Sequence, residues 1–230
     1  HTHNNMLTKG RMLVVYAGAE IESLYDSDIT RSTPVDGKFD SRQKDIYEAV
    51  LAANMKGIEG VKPGAINVDN HIAAVTTLLD GLKGLGLVKG NTHDAVMNGV
   101  GAFFMPHGLG HQMGIDVHDM EGLGEDYVGY DEKTKRSKIP GIGSLRMGKE
   151  LRPGHVFTVE PGCYFIPAWY DLWKGEKRAK DYINYDKVAK YLDFGGIRIE
   201  DNILVTKDGH RVLSTMIPKT VADVEAVCRG

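Results

Sequence analysis

"MLVVYAGAEIESLYDSDITRS" runs from Met12 to Ser32, and how its two halves are read decides the fold. Met12–Val15 is an apolar run, expected as a buried strand, that stops at the small-residue turn Ala17-Gly18-Ala19. The segment after it carries Asp26, Asp28 and Thr30 at alternate positions. As a strand it would place all three side chains on one face. Two strands joined by a short acidic connection imply a sheet, and an acidic face on that sheet asks what the carboxylates are for.

Further along, "FDSRQKDIYEAVLAANMKGIEGVKPG" opens with a helix start, Asp40-Ser41 followed by Gln43. Tyr47, Val50, Leu51, Asn54 and Ile58 mark one side, and Gly60 and Pro63-Gly64 close it. A second helix is expected from Val68 to Leu82, with Ile72, Val75, Leu79 and Leu82 inward and Gly81, Gly84 and Gly86 fraying its end. The second half holds two strand-like stretches, "GHVFTVEPGCYF" (Gly154–Phe165) and "GGIRIEDNILVT" (Gly195–Thr206), and a last helix from Lys219 to Cys228. Two long stretches separate these elements, Glu121–Leu151 and Ile166–Phe194, the latter with a helix expected near Tyr185–Tyr191 and with Trp169 and Trp173 read as core packing. The pairing of strands with helices predicts an α+β fold with a largely antiparallel sheet.

Composition narrows the function classes. A chain of 230 residues can bury one substantial core, and a formal net charge of −3 gives no electrostatic reason to expect nucleic acid or an anionic membrane surface. The one dense basic cluster, Lys133, Lys135, Arg136 and Lys138, lies among Gly, Asp and Ser residues and reads as a solvated loop. Cys163 and Cys228 are too few for a disulfide framework and lack the spacing of a zinc clip. No apolar run approaches the ~20 residues of a membrane span. The chain enters its first strand almost at once without an initiator Met, so a removed leader or a fragment of a longer protein is expected.

Chemistry concentrates in three places. "PHGLGHQMGIDVHD" packs His107, His111 and His118 among glycines that disfavour a helix, so a loop feeding a short strand, "GIDVHD", is expected. In "VFTVEPG" alternation puts Thr158 and Glu160 on one face, and in "GIRIEDN" it puts Arg198, Glu200 and Asn202 on one face. Solvent-facing half-polar strands are the commonest cause of such alternation, but Pro161-Gly162 and Gly195-Gly196 border both and allow other backbone to come close. If Asp28, Glu160 and Glu200 converge, they cannot all stay ionised without a counter-charge. A divalent cation resolves the conflict, His111 adds a nitrogen ligand, and mostly oxygen donors with one imidazole suit Mn²⁺, Co²⁺ or Zn²⁺.

Taken together, "SDITR", "MPHGLGHQMGIDVHD", "TVEPG" and "GIRIEDN" resemble, in order and spacing, the Xaa-Pro peptidases prolidase and aminopeptidase P of the pita-bread metallopeptidase family. The resemblance covers nearly the whole chain. It implies a pita-bread fold, a curved antiparallel sheet backed by helices, with residues 1–230 as one catalytic domain lacking the family's N-terminal domain and the first helices of the fold. It implies two metal ions, Mn²⁺ first among the candidates, with Asp28, His111, Glu160 and Glu200 as ligands. Catalytic roles fall to Glu160, His107 and His118. Substrate-binding roles fall to His107, His118, Arg198 and His1, with His3 as the lesser alternative to His1. The implied reaction is hydrolysis of the bond between an N-terminal residue and proline by a metal-bound hydroxide. The implied setting is a cytoplasmic homodimer acting on small peptides with proline second, beside a missing N-terminal segment or partner chain.

The sequence departs from the family at Tyr16, where "VVYAGAE" keeps a D-x-G-x-E context but lacks its aspartate. Tyr16 to Asp28 is also one residue longer than usual. A phenol with a reference pKa of ~10 is a poor substitute ligand, so of the family's two ions one or none is expected here, the one held by His111 and Glu160 being retained first, while Asp26 shares a face with Asp28 and is a candidate replacement. The alternative function is therefore an impaired relative that keeps the fold and binds metal, peptide or a protein. A metal-free hydrolase resembling creatinase is a third reading, disfavoured by the four ligands retained.

Overall fold

Helix α1 begins where its sequence says it should. The Asp40 side chain accepts from the Gln43 N–H at 2.7 Å, and the Gln43 side chain accepts from the Asp40 N–H at 3.0 Å, so two otherwise orphaned donors satisfy each other. The computed structural model describes residues 4–229. In chain order it contains β1 (Met12–Ala17), β2 (Ile29–Pro34), α1 (Ser41–Glu59), α2 (Asn67–Gly84), α3 (Thr92–Met97), α4 (Gly101–Phe104) and α5 (Glu125–Gly129). There follow β3 (Val156–Val159), β4 (Gly162–Tyr164), α6 (Pro167–Gly175), α7 (Tyr185–Val188), β5 (Gly196–Arg198), β6 (Asp201–Val205), β7 (His210–Val212) and α8 (Val221–Arg229).

Helices α1 and α2 pack together, and their inner faces (Ile46, Tyr47, Val50 and Ile58 against Val75, Leu78, Leu79 and Leu82) form the centre of the core. Gly81 does not fray α2 as expected. It lies inside the helix, where an added Cβ would sit 2.7 Å from the Ala49 Cβ, so its missing side chain is what lets α1 come close. The expected core role of the tryptophans holds, with Trp173 buried and its ring 5.3 Å from Phe103. The stretch Ile166–Phe194 contains the expected helical segment at Tyr185–Tyr191, but also α6, which the aromatic-rich sequence concealed.

All strand pairs are antiparallel: β1 with β2, β3 with β6, β6 with β7, and β4 with β5. The two long strands expected at 154–165 and 195–206 are each broken, the first at Glu160-Pro161 and the second at Ile199-Glu200. Because Val159 pairs with Asp201 and Gly162 with Arg198, both breaks fall at one level of the same ribbon. The ribbon therefore bends as a unit. β2 is seated along the bend, with the Glu200 N–H donating to the Thr30 carbonyl at 3.1 Å and Arg31 donating to the Asp201 carboxylate at 2.7 Å.

β1 forms where its apolar run predicts, but it is not buried. Val14, Val15 and Tyr16 are 42%, 44% and 56% exposed, since β1 pairs with β2 alone among the described strands. No described helix is long and apolar enough to cross a membrane.

Replacing Asp40 with Ala removes one half of the reciprocal cap and is expected to cost about 1 kcal/mol of stability. Equilibrium denaturation in urea measures it, with an unchanged slope and a lowered midpoint.

Candidate metal centre

The bend in the ribbon delivers two glutamates to one place. Glu160 follows directly on β3 and Glu200 directly precedes β6, while Asp28 stands one residue before β2. The Asn202 side chain clamps the Asp28 backbone on both sides, accepting from its N–H at 3.1 Å and donating to its carbonyl. The histidine-bearing segment 105–111 runs against β3. An added Cβ on Gly110 would collide with the Thr158 carbonyl oxygen at 1.8 Å, and one on Gly108 with Leu145 Cα at 2.5 Å. Backbone donors complete the seat, His111 N–H to Thr158 Oγ1 at 3.1 Å and Leu109 N–H to the buried His71 Nδ1 at 3.1 Å.

Asp28, His111 and Glu200 each offer one donor atom within 4.8 Å of the others, and all three are buried. His111 Nε2 lies 3.5 Å from Asp28 Oδ2 and 3.6 Å from Glu160 Oε1, so Glu160 joins the cluster through the same imidazole nitrogen. His111 Nδ1 faces the Gln112 carbonyl at 3.2 Å, which places a ring proton there and turns Nε2 toward the carboxylates. Burial, and then repulsion from neighbouring carboxylates, holds Glu160 and Glu200 well above the usual carboxylate range. Burial works against charge on His111, but Asp28 and Glu160 outweigh it and raise its pKa.

Thr30 Oγ1 donates to Glu200 Oε2 at 2.6 Å and accepts from Arg198 Nε at 3.0 Å. That leaves Glu200 Oε1, together with Asp28 Oδ1, buried without a hydrogen-bond partner. Two unpartnered acidic oxygens beside an imidazole nitrogen form a donor set that a divalent cation fits.

A cavity of about 980 Å³ opens onto this cluster, lined by Tyr16, His107, His118, Arg146, Glu160 and Arg198 among others. His107 Nδ1 lies 2.8 Å from the Gly108 carbonyl, so its proton sits there and Nε2 accepts from the Tyr164 hydroxyl at 2.9 Å. His118 stands over His111 with ring centroids 4.3 Å apart, and Arg146 Nη1 donates to its Nε2 at 2.9 Å. Burial first, then the charges of His111 and Arg146, lowers the His118 pKa to about 4. Burial likewise lowers His107 to about 4. Tyr164 and Arg146 were not singled out from the sequence, and Thr30 only as a residue sharing a face with Asp28. The only available sign was position, Thr30 on the acidic face and Tyr164 two residues past Gly162.

Two expectations need correction here. "GIDVHD" is not a strand: the segment folds back on itself, with Asp119 N–H donating to the Gln112 carbonyl at 3.1 Å and Gly114 pressed against the Asp119 side chain. Asp26 does not join the cluster; it bridges to Glu20 in the hairpin connection. Tyr16 donates its hydroxyl to Asp28 Oδ2 at 3.1 Å beneath the Arg198 guanidinium, and burial and then Asp28 push its pKa up to about 12. A phenol so disposed is a hydrogen-bond donor, not a phenolate ligand. His1 and His3 lie outside the described residues.

The sequence model of metallopeptidase family M24 matches residues 1–207. The chain belongs to this family. It is similar to the Xaa-Pro dipeptidase of Homo sapiens, 38% identical over 228 residues, covering 99% of this chain and 44% of that protein. It is also similar to a probable Xaa-Pro aminopeptidase of Talaromyces marneffei, 36% identical over 95% of this chain and 44% of that protein. Among solved structures, Pseudomonas aeruginosa aminopeptidase PepP matches with a TM-score of 0.72 at 35% identity, over 95% of this chain and 41% of that one. Zn-substituted Escherichia coli aminopeptidase P in complex with product matches with a TM-score of 0.72 at 30% identity, over 96% of this chain and 42% of that one. The M24 chain therefore has the pita-bread fold and spans less than half the length of these relatives.

In the metal-free M24 chain, raised carboxylate and His111 pKa values mean that the folded state holds more protons than the unfolded one. Their contribution to stability is therefore present at low pH and lost as pH rises through the folded values. The histidines with lowered pKa act oppositely, but only below about pH 6.5. Thermal melts of the metal-free protein are expected to show the melting temperature falling from about pH 6.5 to about pH 8, and a divalent cation at the upper pH is expected to restore it. A melting temperature that rises over that interval would contradict the buried cluster.

Proposed function

We propose that this chain is the catalytic domain of a metal-dependent peptidase that hydrolyses the bond between an N-terminal residue and proline, as an Xaa-Pro dipeptidase or aminopeptidase. The observation that carries the reading is the pair of buried, unpartnered oxygens, Asp28 Oδ1 and Glu200 Oε1, in a cluster open to a cavity of about 980 Å³. Asp28, His111, Glu160 and Glu200 would hold the divalent metal, with Mn²⁺ preferred and Co²⁺ or Zn²⁺ as alternatives. A cation bound there supplies Lewis acidity for the scissile carbonyl and acidifies water.

The chain's own residues do the rest. Glu160, held well above the usual carboxylate range by burial, is suited to take up a proton and pass it to the departing proline nitrogen. Burial and the charges of His111 and Arg146 favour neutral His118, whose ring N–H could donate to a developing oxyanion. His107 and Arg198 line the same wall, His107 fixed by Tyr164 and Arg198 by Thr30. Proline carries no amide N–H, so recognition by shape and by groups on this wall is a reasonable substitute for strand pairing. The family resemblance carries residues 1–230 as one domain, a homodimer and a cytoplasmic setting.

One observation favours a second reading, an impaired relative that binds metal or peptide. Tyr16 stands at a ligand position of the family and donates its hydroxyl to Asp28 Oδ2, taking up an oxygen that a second cation would share. Assay of Xaa-Pro dipeptides and tripeptides with added Mn²⁺ or Co²⁺ separates the readings. The first predicts metal-dependent turnover that drops at least about 100-fold in Glu160→Gln. The second predicts a folded, metal-binding chain without turnover. Tyr16→Asp is expected to raise the number of bound ions, and with it activity; a variant with no gain in either would show that the longer Tyr16–Asp28 spacing, not the phenol, limits the site.

A further inference from the structure

Asn54, on the inner face of α1, is a polar side chain that is completely buried. Its Nδ2 donates to two carbonyls at once, Val159 at 3.1 Å and Ile199 at 3.4 Å. Val159 immediately precedes Glu160, and Ile199 immediately precedes Glu200. Val159 and Ile199 therefore sit at the two breaks of the bent ribbon, and Asn54 spans both strands there. Asn54 Oδ1 in turn accepts from Lys219 Nζ at 2.9 Å, and Lys219 also reaches Asp201 at 2.6 Å. The amide is thus oriented by a cation on one side and holds two backbone groups on the other. One turn along α1, Gly57 lets the helix settle directly on Val159, since an added Cβ would lie 2.9 Å from Val159 Cγ1.

We infer that Asn54 is a positioning residue for the metal centre: it fixes the separation between Glu160 and Glu200 by holding the two backbone carbonyls that precede them. Side chains on unsupported strand ends would be pushed apart by carboxylate repulsion, and the primary amide of Asn carries two donor hydrogens on one nitrogen, one for each strand. The inference deepens the metallopeptidase reading and rests on it for the metal-binding consequence, but the carbonyl clamp can be read without metal.

The test compares the full chain with Asn54→Asp, which keeps the shape and the acceptor for Lys219 but removes both donors. Should that variant fail to fold, Asn54→Ala takes its place. Val50→Ala, on the same helix and touching neither carbonyl, controls for lost stability. Carbonyl carbon shifts of Val159 and Ile199, measured by NMR on metal-free protein, are expected to move in the Asn54 variant and not in the control. Titration calorimetry with Zn²⁺ is expected to show at least tenfold weaker binding in the Asn54 variant, as for other groups that orient metal ligands, and unchanged binding in the control. Unmoved carbonyl shifts, or binding that weakens equally in Val50→Ala, would overturn the positioning role. Wild-type protein that binds no Zn²⁺ while the shifts still move would instead overturn the metallopeptidase reading and leave the clamp standing.

Discussion

Repulsion among buried carboxylates governs this structure. Asp28, Glu160 and Glu200 come from three distant parts of the chain and meet around one imidazole nitrogen. Bringing such groups together out of water is costly unless protons or a cation offset their charge. The surroundings are built to bear that cost without removing it. Thr30 donates to one oxygen of Glu200, with the Arg198 guanidinium 3.9 Å from it, and Asn202 grips the Asp28 backbone on both sides. Two acidic oxygens are still left bare. A fold seeking stability alone would have filled those positions with apolar side chains, so the bare oxygens point to a ligand that supplies positive charge.

The same constraint explains why the sheet is not straight. Glu160 and Glu200 can face a common centre only if the ribbon bends where they sit, and the bend interrupts the ladder in both strands at one level. Arg31 ties β2 to the far side of the bend, and α1 supports the near side. Function and architecture therefore share the same few residues.

Much of this could be read in the sequence, and the reasons for the misses are physical. The meeting of Asp28, His111 and Glu200 was legible because acidic residues in strands bordered by Gly and Pro asked for a counter-charge and the family resemblance named them together, and α1 was legible because its cap is a local arrangement of three or four residues. The bend was not: period-two alternation runs through Val159-Glu160 and Ile199-Glu200 unchanged, and nothing in a side-chain pattern reports a broken backbone ladder. Gly81 looked like a helix end because glycine is a poor helix former, whereas its role is a close helix–helix approach set by Ala49, far away in sequence. β1 looked buried because an apolar run cannot say what covers it. Tyr16 was visible as a departure, yet only the structure shows its hydroxyl donating to Asp28, which makes it a neutral neighbour of the cluster.

The most direct measurement is titration of metal-free protein with Mn²⁺ at neutral pH in two buffers of different ionisation enthalpy, giving the number of ions bound and of protons released. The account predicts at least one ion per chain and a net release of protons, because acids held protonated by burial must ionise to accept the cation. An absence of binding, or binding without proton release, would contradict the claim that these carboxylates form a buried, charge-starved centre.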